Sequence, residues 1–349
     1  MFFYYLPFMY SALLSLLGGN RRLCYWGLAS LLIFMCAFQA PGVSDDHGNY
    51  LDYYAGIVSG ELGPFFVEPT FFVLAQLSSL LTGSAILLFV FYAVLGVGTK
   101  FYVMGRATPY RWLSVAIYLS YFFLLQDFTQ IRIGVATGLV MCAAYLVFAG
   151  RWSKGLMVLF GAVFFHYSAI LFLPFMFLRA AGMRTVFYIY VCCCWLFALY
   201  LMDVSVLKGF LQLLSLLENP RLDFYIDRIL SGQGGSINFF RAIFHFSLLT
   251  PLVLMFSRIQ RQQPFIAYSV ILHLSGLLIL LALHDAQVVA YRISDIFNHF
   301  MVFSLLAYAI MFGRVVGAAG MLAVSTFQII YVLQVLGFVQ PYTSVLGGL

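Results

Sequence analysis

The sequence predicts an all-α polytopic membrane protein with about 10–12 transmembrane helices. Apolar residues make up 64% of the 349 residues, and charged residues make up only 9%. A soluble domain carries about 25% charged residues, so this chain has too few charges to cover a water-exposed surface. Its apolar runs approach the roughly 20 residues that a helix needs to cross a bilayer. We therefore treat residues 1–349 as a single transmembrane domain.

Apolar runs recur along the whole chain and are separated by short polar or charged segments. We interpret each run of adequate length as one membrane-spanning helix. The predicted spans, in chain order, are roughly residues 2–18, 23–40, 84–104, 112–127, 133–150, 155–167, 168–180, 184–203, 242–257, 264–283, 293–313 and 315–338.

Two apolar stretches do not fit a simple crossing. Residues 65–82 are long enough to span, but a crossing there would move the basic residues that follow to the outer face. We predict that they lie in the outer interface or form a re-entrant helix from Glu68-Pro69, because proline suits the first turn of a helix. Residues 155–180 are interrupted by His166 and by a proline. We predict two short arms that meet near His166, an arrangement tolerated at membrane depth only beside a protein-lined or water-filled cavity.

The charges divide between the two predicted faces of the membrane. Threading the spans puts all 12 acidic residues, including Asp127, on one face and most of the 18 basic residues, including Lys100, on the other. The basic face is cytoplasmic, because Lys and Arg concentrate in cytoplasmic loops. The net charge of +6 therefore indicates contact with anionic lipids, and no nucleic-acid partner is expected. The basic residues left on the outer face are Arg132, Lys208, Arg221, Arg228, Arg241 and Arg292, and we look for function among them.

Two long outer loops are predicted, at about residues 41–83 and 204–241. The first is acidic and rich in tyrosine, and the second begins with an amphipathic stretch and ends in a glycine-rich tail. Loops longer than about 15 residues are uncommon unless they act as lids or binding elements. Both loops are therefore candidate parts of a site.

The segment that ends in Gln130, Ile131 and Arg132 lies at the predicted start of a helix. A guanidinium group there offers several planar donors to phosphate oxygens, and the helix N-terminus adds its positive end. The alternative is an ion pair between Arg132 and Asp127, or an arginine that reaches the lipid headgroups.

A second group lies near the C-terminus. Arg292, Asp295 and His299 are spaced at i, i+3 and i+7, so they share one face of a helix. Because a cation, a carboxylate and an imidazole are costly against lipid, we expect this face to point to the protein interior. The alternative function of these residues is a structural ion-pair network.

Two further segments could supply a general base. His166 lies at the predicted helix break, and an imidazole can act as a base or contact phosphate near neutral pH, although packing is the alternative. Asp45, Asp46 and His47 could supply a base or bind a divalent metal, although a solvated turn is equally compatible. Adjacent residues of an extended segment point in opposite directions, so no metal site is predicted.

In this order, the segments resemble the EpsG-like branch of the Wzy polysaccharide polymerases. The matching residues are Asp46 and Tyr50, Glu68 and Pro69, Gln130, Ile131 and Arg132, Phe165, His166, Ser168 and Ala169, and Tyr291 and Arg292. Two positions depart from that pattern. The family often carries an arginine just before the acidic loop, where this chain has Phe38-Gln39-Ala40, and often a glutamine where this chain has Ile133.

The resemblance implies a fold like that of the GT-C-type membrane glycosyltransferases. It implies polymerisation of undecaprenyl-diphosphate-linked oligosaccharide repeat units at the periplasmic face of the bacterial inner membrane, without a metal or other cofactor. The product could be O-antigen, capsule or exopolysaccharide. Membrane lipids and a chain-length regulator protein are further candidate partners.

The resemblance also gives each candidate residue an expected role. We expect Arg132 and Arg292, with Arg241 as a third contributor, to bind the diphosphate. Asp46 and His166 compete for the role of general base. Further substrate contacts are expected from Tyr50, Glu68, Gln130, Tyr291, Asp295 and His299.

Two other functions remain open. A ligase would move a finished glycan onto a different acceptor. A flippase or other transporter of lipid-linked sugars would carry charged residues through the middle of the membrane, whereas the threading places nearly all charged residues near a membrane face.

Overall fold

The structure, a computed structural model, describes residues 1–18, 21–215, 231 and 234–347. Arg221 and Arg228, two of the outer arginines, lie outside the described residues. Helices account for 79% of the structure, which confirms the predicted all-α class of a polytopic membrane protein.

The first part of the chain forms eight α-helices, one π-helix and one 3₁₀-helix among the described residues. They are α1 (Phe2–Leu17), α2 (Arg22–Ala37), α3 (His47–Val58), α4 (Pro69–Thr82), α5 (Ile86–Ala107), α6 (Arg111–Ser120), a π-helix (Phe123–Thr129), α7 (Ile131–Phe148), α8 (Trp152–Phe165) and a 3₁₀-helix (Tyr167–Ala180).

The rest of the described chain continues in the same way. It contains α9 (Met183–Leu201), α10 (Val206–Ser215), α11 (Phe239–Leu254), α12 (Phe256–Gln262), α13 (Pro264–Ala282), α14 (Gln287–Asn298), α15 (Met301–Ser304), α16 (Leu306–Met311), α17 (Arg314–Tyr331) and a π-helix (Val332–Leu336).

Six of the described helical segments are long and apolar enough to cross a membrane: Ile86–Ala107, Ile131–Phe148, Met183–Leu201, Pro264–Ala282, Gln287–Met311 and Arg314–Leu336. A seventh results if α11 and α12, which meet at 70°, form one broken span. The sequence predicted more spans because it also counted shorter apolar helices of 10–17 residues, namely α1, α2, α8 and the 3₁₀-helix. It also counted residues 112–127, where the structure has α6 followed by a π-helix. The stretch predicted to be interfacial or re-entrant forms another short apolar helix, α4.

The chain forms two compact units. The first contains Met1–Met176 and Tyr308–Leu349, and the second contains Phe177–Ala307. In the first unit α5 packs against α2, α4 and α7, and α7 packs against α8. In the second unit α13 packs against α9, α11, α14 and α15.

Within the predicted outer loop at 41–83, residues 47–58 form helix α3, which was not predicted from the sequence. Tyr50 and Ile57 lie seven residues apart, so they share one face of this helix. Both are buried in a cluster with Phe71 of α4 and Tyr92 of α5. This helix was not predicted because the segment is acidic and contains glycine, and its apolar residues are widely spaced.

The predicted separation of charges is wrong at one place. The threading put Lys100 and Asp127 on opposite faces, but the structure joins them in a buried ion pair 2.7 Å long. The positive-inside rule applies to basic residues near the ends of spans. Lys100 lies inside α5, where a carboxylate partner offsets the cost of its buried charge.

A buried polar chain links three helices of the second unit. His245 Nδ1 of α11 lies 2.9 Å from His273 Nε2 of α13, and His273 Nδ1 lies 2.8 Å from Ser304 Oγ of α15. Hydrogen bonds satisfy these buried polar groups, so the His245–His273–Ser304 chain is compatible with a structural role in packing.

Candidate active site

Three residues from separate motifs meet in the first unit. The Arg132 guanidinium donates from Nη1 to Glu68 Oε2, and His166 Nδ1 lies 3.1 Å from Glu68 Oε1. The Glu68 side chain is 8% exposed, whereas those of Arg132 and His166 are 25% and 20% exposed. The carboxylate is therefore almost enclosed, while the cation and the imidazole remain accessible to a ligand.

Helix ends place these three side chains. Glu68 directly precedes α4, with Pro69 in the first turn as predicted. Arg132 is the second residue of α7. His166 directly follows α8 in an extended conformation, with φ −159° and ψ 115°, which confirms the predicted break. The Thr70 hydroxyl donates a hydrogen bond of 2.7 Å to the Phe164 carbonyl, which connects the start of α4 to the end of α8.

Aromatic rings surround the guanidinium group of Arg132. Its Cζ lies 5.5 Å from the ring centroid of Tyr50, 5.6 Å from that of Tyr53 and 5.9 Å from that of Phe71. Cations within about 6 Å of a ring face are attracted by its quadrupole. These rings stabilise the charge of Arg132 and limit its rotation.

The electrostatics favour an ionised Glu68, which lies outside the six spanning segments. Burial alone would raise the pKa of this carboxyl group, but the hydrogen bond with His166 and the charge of Arg132 outweigh it. The net pKa lies below its ordinary value of 4.5. Burial also raises the pKa of Tyr50, against the opposing charge of Arg132, so Tyr50 remains a neutral phenol.

An ionised carboxylate determines which nitrogen of His166 carries the proton. A carboxylate can only accept, so a neutral His166 donates from Nδ1–H to Glu68. Nε2 then keeps its lone pair and can take a proton from a ligand. Glu68 therefore orients a potential general base on one oxygen and holds a cation on the other.

The structure does not bring Asp127 to Arg132. The alternative interpretation of an Arg132–Asp127 pair is wrong, because Arg132 pairs with Glu68 and Asp127 with Lys100. Gln130 directly precedes α7, and its N–H donates to the Leu125 carbonyl.

The acidic segment lies at the start of α3. Asp46 precedes this helix, and its Oδ1 lies 3.4 Å from the Asn49 amide nitrogen. His47 is buried and stacks on Phe89 at a centroid distance of 4.5 Å. Among the described residues, no group of three or more His, Cys, Asp or Glu side chains could hold a metal.

A second cation–carboxylate pair lies in the second unit. The Arg241 guanidinium donates to Asp295, and its Cζ lies 4.3 Å from the Tyr291 ring centroid. The Tyr291 hydroxyl accepts from the backbone N–H of Asn238, whose side chain caps the start of α11. Three predicted site residues, Arg241, Tyr291 and Asp295, therefore lie together.

The prediction that Arg292, Asp295 and His299 all face the interior is wrong for Arg292. Asp295 and His299 are buried, but Arg292 is exposed. Three residues turn a helix by about 300°, which leaves the directions of Arg292 and Asp295 about 60° apart. Arg292 therefore lies at the edge of the face that Asp295 occupies. Asp295 pairs with Arg241 instead.

Sequence reasoning missed the aromatic residues Tyr53 and Phe71 and the role of Glu68 as the common partner of two other motifs. The signal available was the pairing of an acidic residue with a helix-starting proline in a stretch that is otherwise apolar. A carboxylate in an apolar stretch is costly unless cationic or hydrogen-bonding groups contact it. The position of Glu68 therefore indicated that such partners exist.

No curated protein and no solved structure matches the chain. The sequence model of the EpsG family matches residues 23–344, which include every residue of both clusters. Because this match covers nearly the whole chain, the protein belongs to the EpsG family.

Proposed function

We propose that this protein is a polysaccharide polymerase of the Wzy type. It joins undecaprenyl-diphosphate-linked oligosaccharide repeat units at the periplasmic face of the bacterial inner membrane. Membership of the EpsG family supports a polysaccharide-related membrane protein. The observation that carries the proposal is the convergence of Glu68, Arg132 and His166, because it supplies a base and a cation side by side.

The reaction needs one bond formed and one broken. A hydroxyl oxygen of the acceptor sugar attacks the anomeric carbon of the donor glycan, and the bond from that carbon to the lipid diphosphate breaks. The hydroxyl proton passes to Nε2 of His166, and the bonding electron pair leaves with the diphosphate. Glu68 stabilises the resulting imidazolium through Nδ1–H, as a carboxylate does for a general-base histidine.

Arg132 stabilises the leaving group. Negative charge accumulates on the diphosphate as its bond to the sugar breaks, and a fixed cation lowers that barrier. Only one terminal nitrogen of Arg132 contacts Glu68, and the guanidinium group has five N–H donors in all. Tyr50 and Tyr53 hold it in place, so little reorganisation is needed during the reaction.

Asp46 remains the competing candidate for the base. It lies one helical turn before Tyr50, near the same cluster. Substitutions distinguish Asp46 from His166 as the general base. If His166 is the base, Asp46→Asn keeps most of the activity and His166→Ala loses it. The reverse result assigns the base to Asp46.

One observation bears on the transporter alternative. The buried pair of Lys100 and Asp127 places charge inside the first unit, as a transporter would require. However, Lys100 Nζ has three donors, and both carboxylate oxygens of Asp127 and the Gly134 carbonyl accept from it. With these bonds made, no Nζ donor is left for a substrate.

Deletion of the gene in its host strain tests the proposed function. Loss of a polymerase leaves glycans of a single repeat unit at the cell surface. Loss of a ligase removes surface glycan while lipid-linked polymer remains. Loss of a transporter leaves lipid-linked single units on the cytoplasmic side. Either of the last two results contradicts the proposal.

A further inference from the structure

A buried polar network lies next to the candidate active site without being part of it. Lys100 Nζ donates to both carboxylate oxygens of Asp127, each at a distance of 2.7 Å. The Tyr118 hydroxyl donates to Asp127 Oδ2, also at 2.7 Å. The Lys100 side chain is 0% exposed and that of Asp127 is 1% exposed. A ligand therefore cannot reach this pair, and neither residue can act directly on a substrate.

Lys100 holds both flanks of the segment that carries Arg132. Asp127 belongs to the π-helix that ends at Thr129. The third acceptor of Lys100, the Gly134 carbonyl, lies in the first turn of α7. Arg132 lies between these two acceptors. Short π-helical segments are frequent at functional sites.

Close packing fixes the pair further. A Cβ at Gly96 of α5 would meet Oδ1 of Asp127, and a Cβ at Gly134 would lie 2.9 Å from the Gln126 carbonyl oxygen. The absence of these side chains lets α5, the π-helix and α7 approach closely around the ion pair. The Thr137 hydroxyl donates a hydrogen bond of 2.9 Å to Gln126 Oε1, which adds another contact between the π-helix and α7.

Stability alone is a weak reason for such a pair. Removing two charges from water is costly, and well-packed apolar residues of similar volume often replace a buried pair without loss of stability. A buried ion pair does, however, fix geometry strongly, because each partner must stay within hydrogen-bond distance of the other.

We propose that Lys100 and Asp127 are positioning residues that aim the Arg132 guanidinium at the leaving diphosphate. This inference rests on the proposed function of Arg132. It assigns a role in the reaction to two residues that do not contact substrate, and it makes Tyr118 an accessory that holds Asp127.

The test is a mutant cycle between this pair and Arg132. Lys100→Met with Asp127→Asn removes both charges together and leaves none unpaired. We expect the double variant to accumulate in the membrane as the wild-type protein does, but to form polymer about 10²-fold more slowly, because small misplacements of a catalytic group have effects of that size. The rate is measured in membranes as incorporation of radiolabelled lipid-linked repeat units into longer chains.

The cycle separates positioning from general damage to the fold. In an Arg132→Ala background, the Lys100 and Asp127 substitutions should cause little further loss, because the group they position is absent. The same fractional loss in both backgrounds overturns the proposal, as does a wild-type rate in the double variant. A wild-type rate in Arg132→Ala alone contradicts the proposed function instead, so the two failures are distinguishable.

A matched control and a milder variant complete the experiment. Ser120→Ala with Gln328→Met removes another buried polar contact of the first unit, 3.1 Å long, and should leave the rate unchanged. If the double variant Lys100→Met with Asp127→Asn does not accumulate in the membrane, Tyr118→Phe tests the positioning role instead. This milder change deletes one hydrogen bond to Asp127. It should slow polymer formation in the wild-type background and not in Arg132→Ala, and equal loss in both contradicts the proposal.

Discussion

His166 Nδ1 lies 3.1 Å from Glu68 Oε1, although 98 residues separate the two in the chain. The other oxygen of the same carboxylate accepts from Arg132. A single acidic residue therefore connects the imidazole of His166 and a guanidinium group that remains partly exposed. This arrangement makes the three residues one functional group whose members can be tested together.

Glu68→Gln should slow polymer formation by about 10²-fold, at the lower end of what a general base contributes. The amide keeps the size of the side chain but removes the charge that orients His166 and stabilises its protonated form. Glu61→Gln changes an exposed carboxylate and serves as the control. A wild-type rate in Glu68→Gln, measured by the same radiolabelled assay, contradicts a role for Glu68.

Arg132→Lys should be nearly as defective as Arg132→Ala, a loss of about 10²–10³ in rate. Lysine keeps the charge but loses the planar fork that can contact Glu68 and the diphosphate at the same time. Arg151→Lys, an exposed arginine beyond the far end of α7, should retain the wild-type rate. Full activity of Arg132→Lys would show that charge alone suffices.

Acid should weaken the Glu68 contacts. The folded-state pKa of Glu68 lies below its ordinary value of 4.5, so its contribution to stability is complete above about pH 4.5. That contribution is lost as the pH falls through the lower folded-state value. The difference in Tm between wild-type protein and Glu68→Gln should therefore shrink below about pH 4.5. Thermal unfolding of the purified protein in detergent measures it, and a difference independent of pH contradicts the ionised state of Glu68.

Gly134→Ala should destabilise the first unit by about 1–3 kcal/mol, the usual effect of overpacking. Its Cβ would meet backbone atoms, with the Gln126 carbonyl oxygen at 2.9 Å and Asp127 Cα at 3.1 Å. Gly98→Ala on α5 is the matched control, because nothing lies within 4 Å of its Cβ. Comparison of the two Tm values tests the close approach, and equal values contradict it.

Arg241→Ala and Arg292→Ala should differ in their effect on the second unit. Removal of Arg241 leaves Asp295 buried without its ion-pair partner, and loss of one member of a buried pair typically costs about 3–5 kcal/mol. Arg292 is exposed, so its removal should leave the Tm unchanged. A Tm loss in Arg292→Ala that equals the loss in Arg241→Ala contradicts the arrangement seen here.

Local features of this site could be predicted from the sequence. Proline at position 69, the apolar run that follows Arg132 and the polar interruption at His166 predicted two helix starts and one break, and the structure confirms all three. These features depend on backbone chemistry within a few residues, which the sequence displays directly.

Contacts between distant segments could not be predicted in the same way. The pairing of Lys100 with Asp127 conflicts with a rule that assigns basic residues to loops, because the rule takes no account of a buried partner. The partner of Arg132 was likewise decided by tertiary packing: Asp127 is nearer in sequence, yet Glu68 is the residue in contact. Helix α3 was missed because its apolar face is formed by widely spaced residues such as Tyr50 and Ile57.

The most direct test of the central claim is the chain-length distribution of surface glycan in a deletion strain that expresses Arg132→Ala or His166→Ala. Both variants should accumulate in the membrane, because neither side chain is fully buried. The account predicts glycans of a single repeat unit with either variant and long polymer with the wild-type protein. Long polymer with both variants would contradict it.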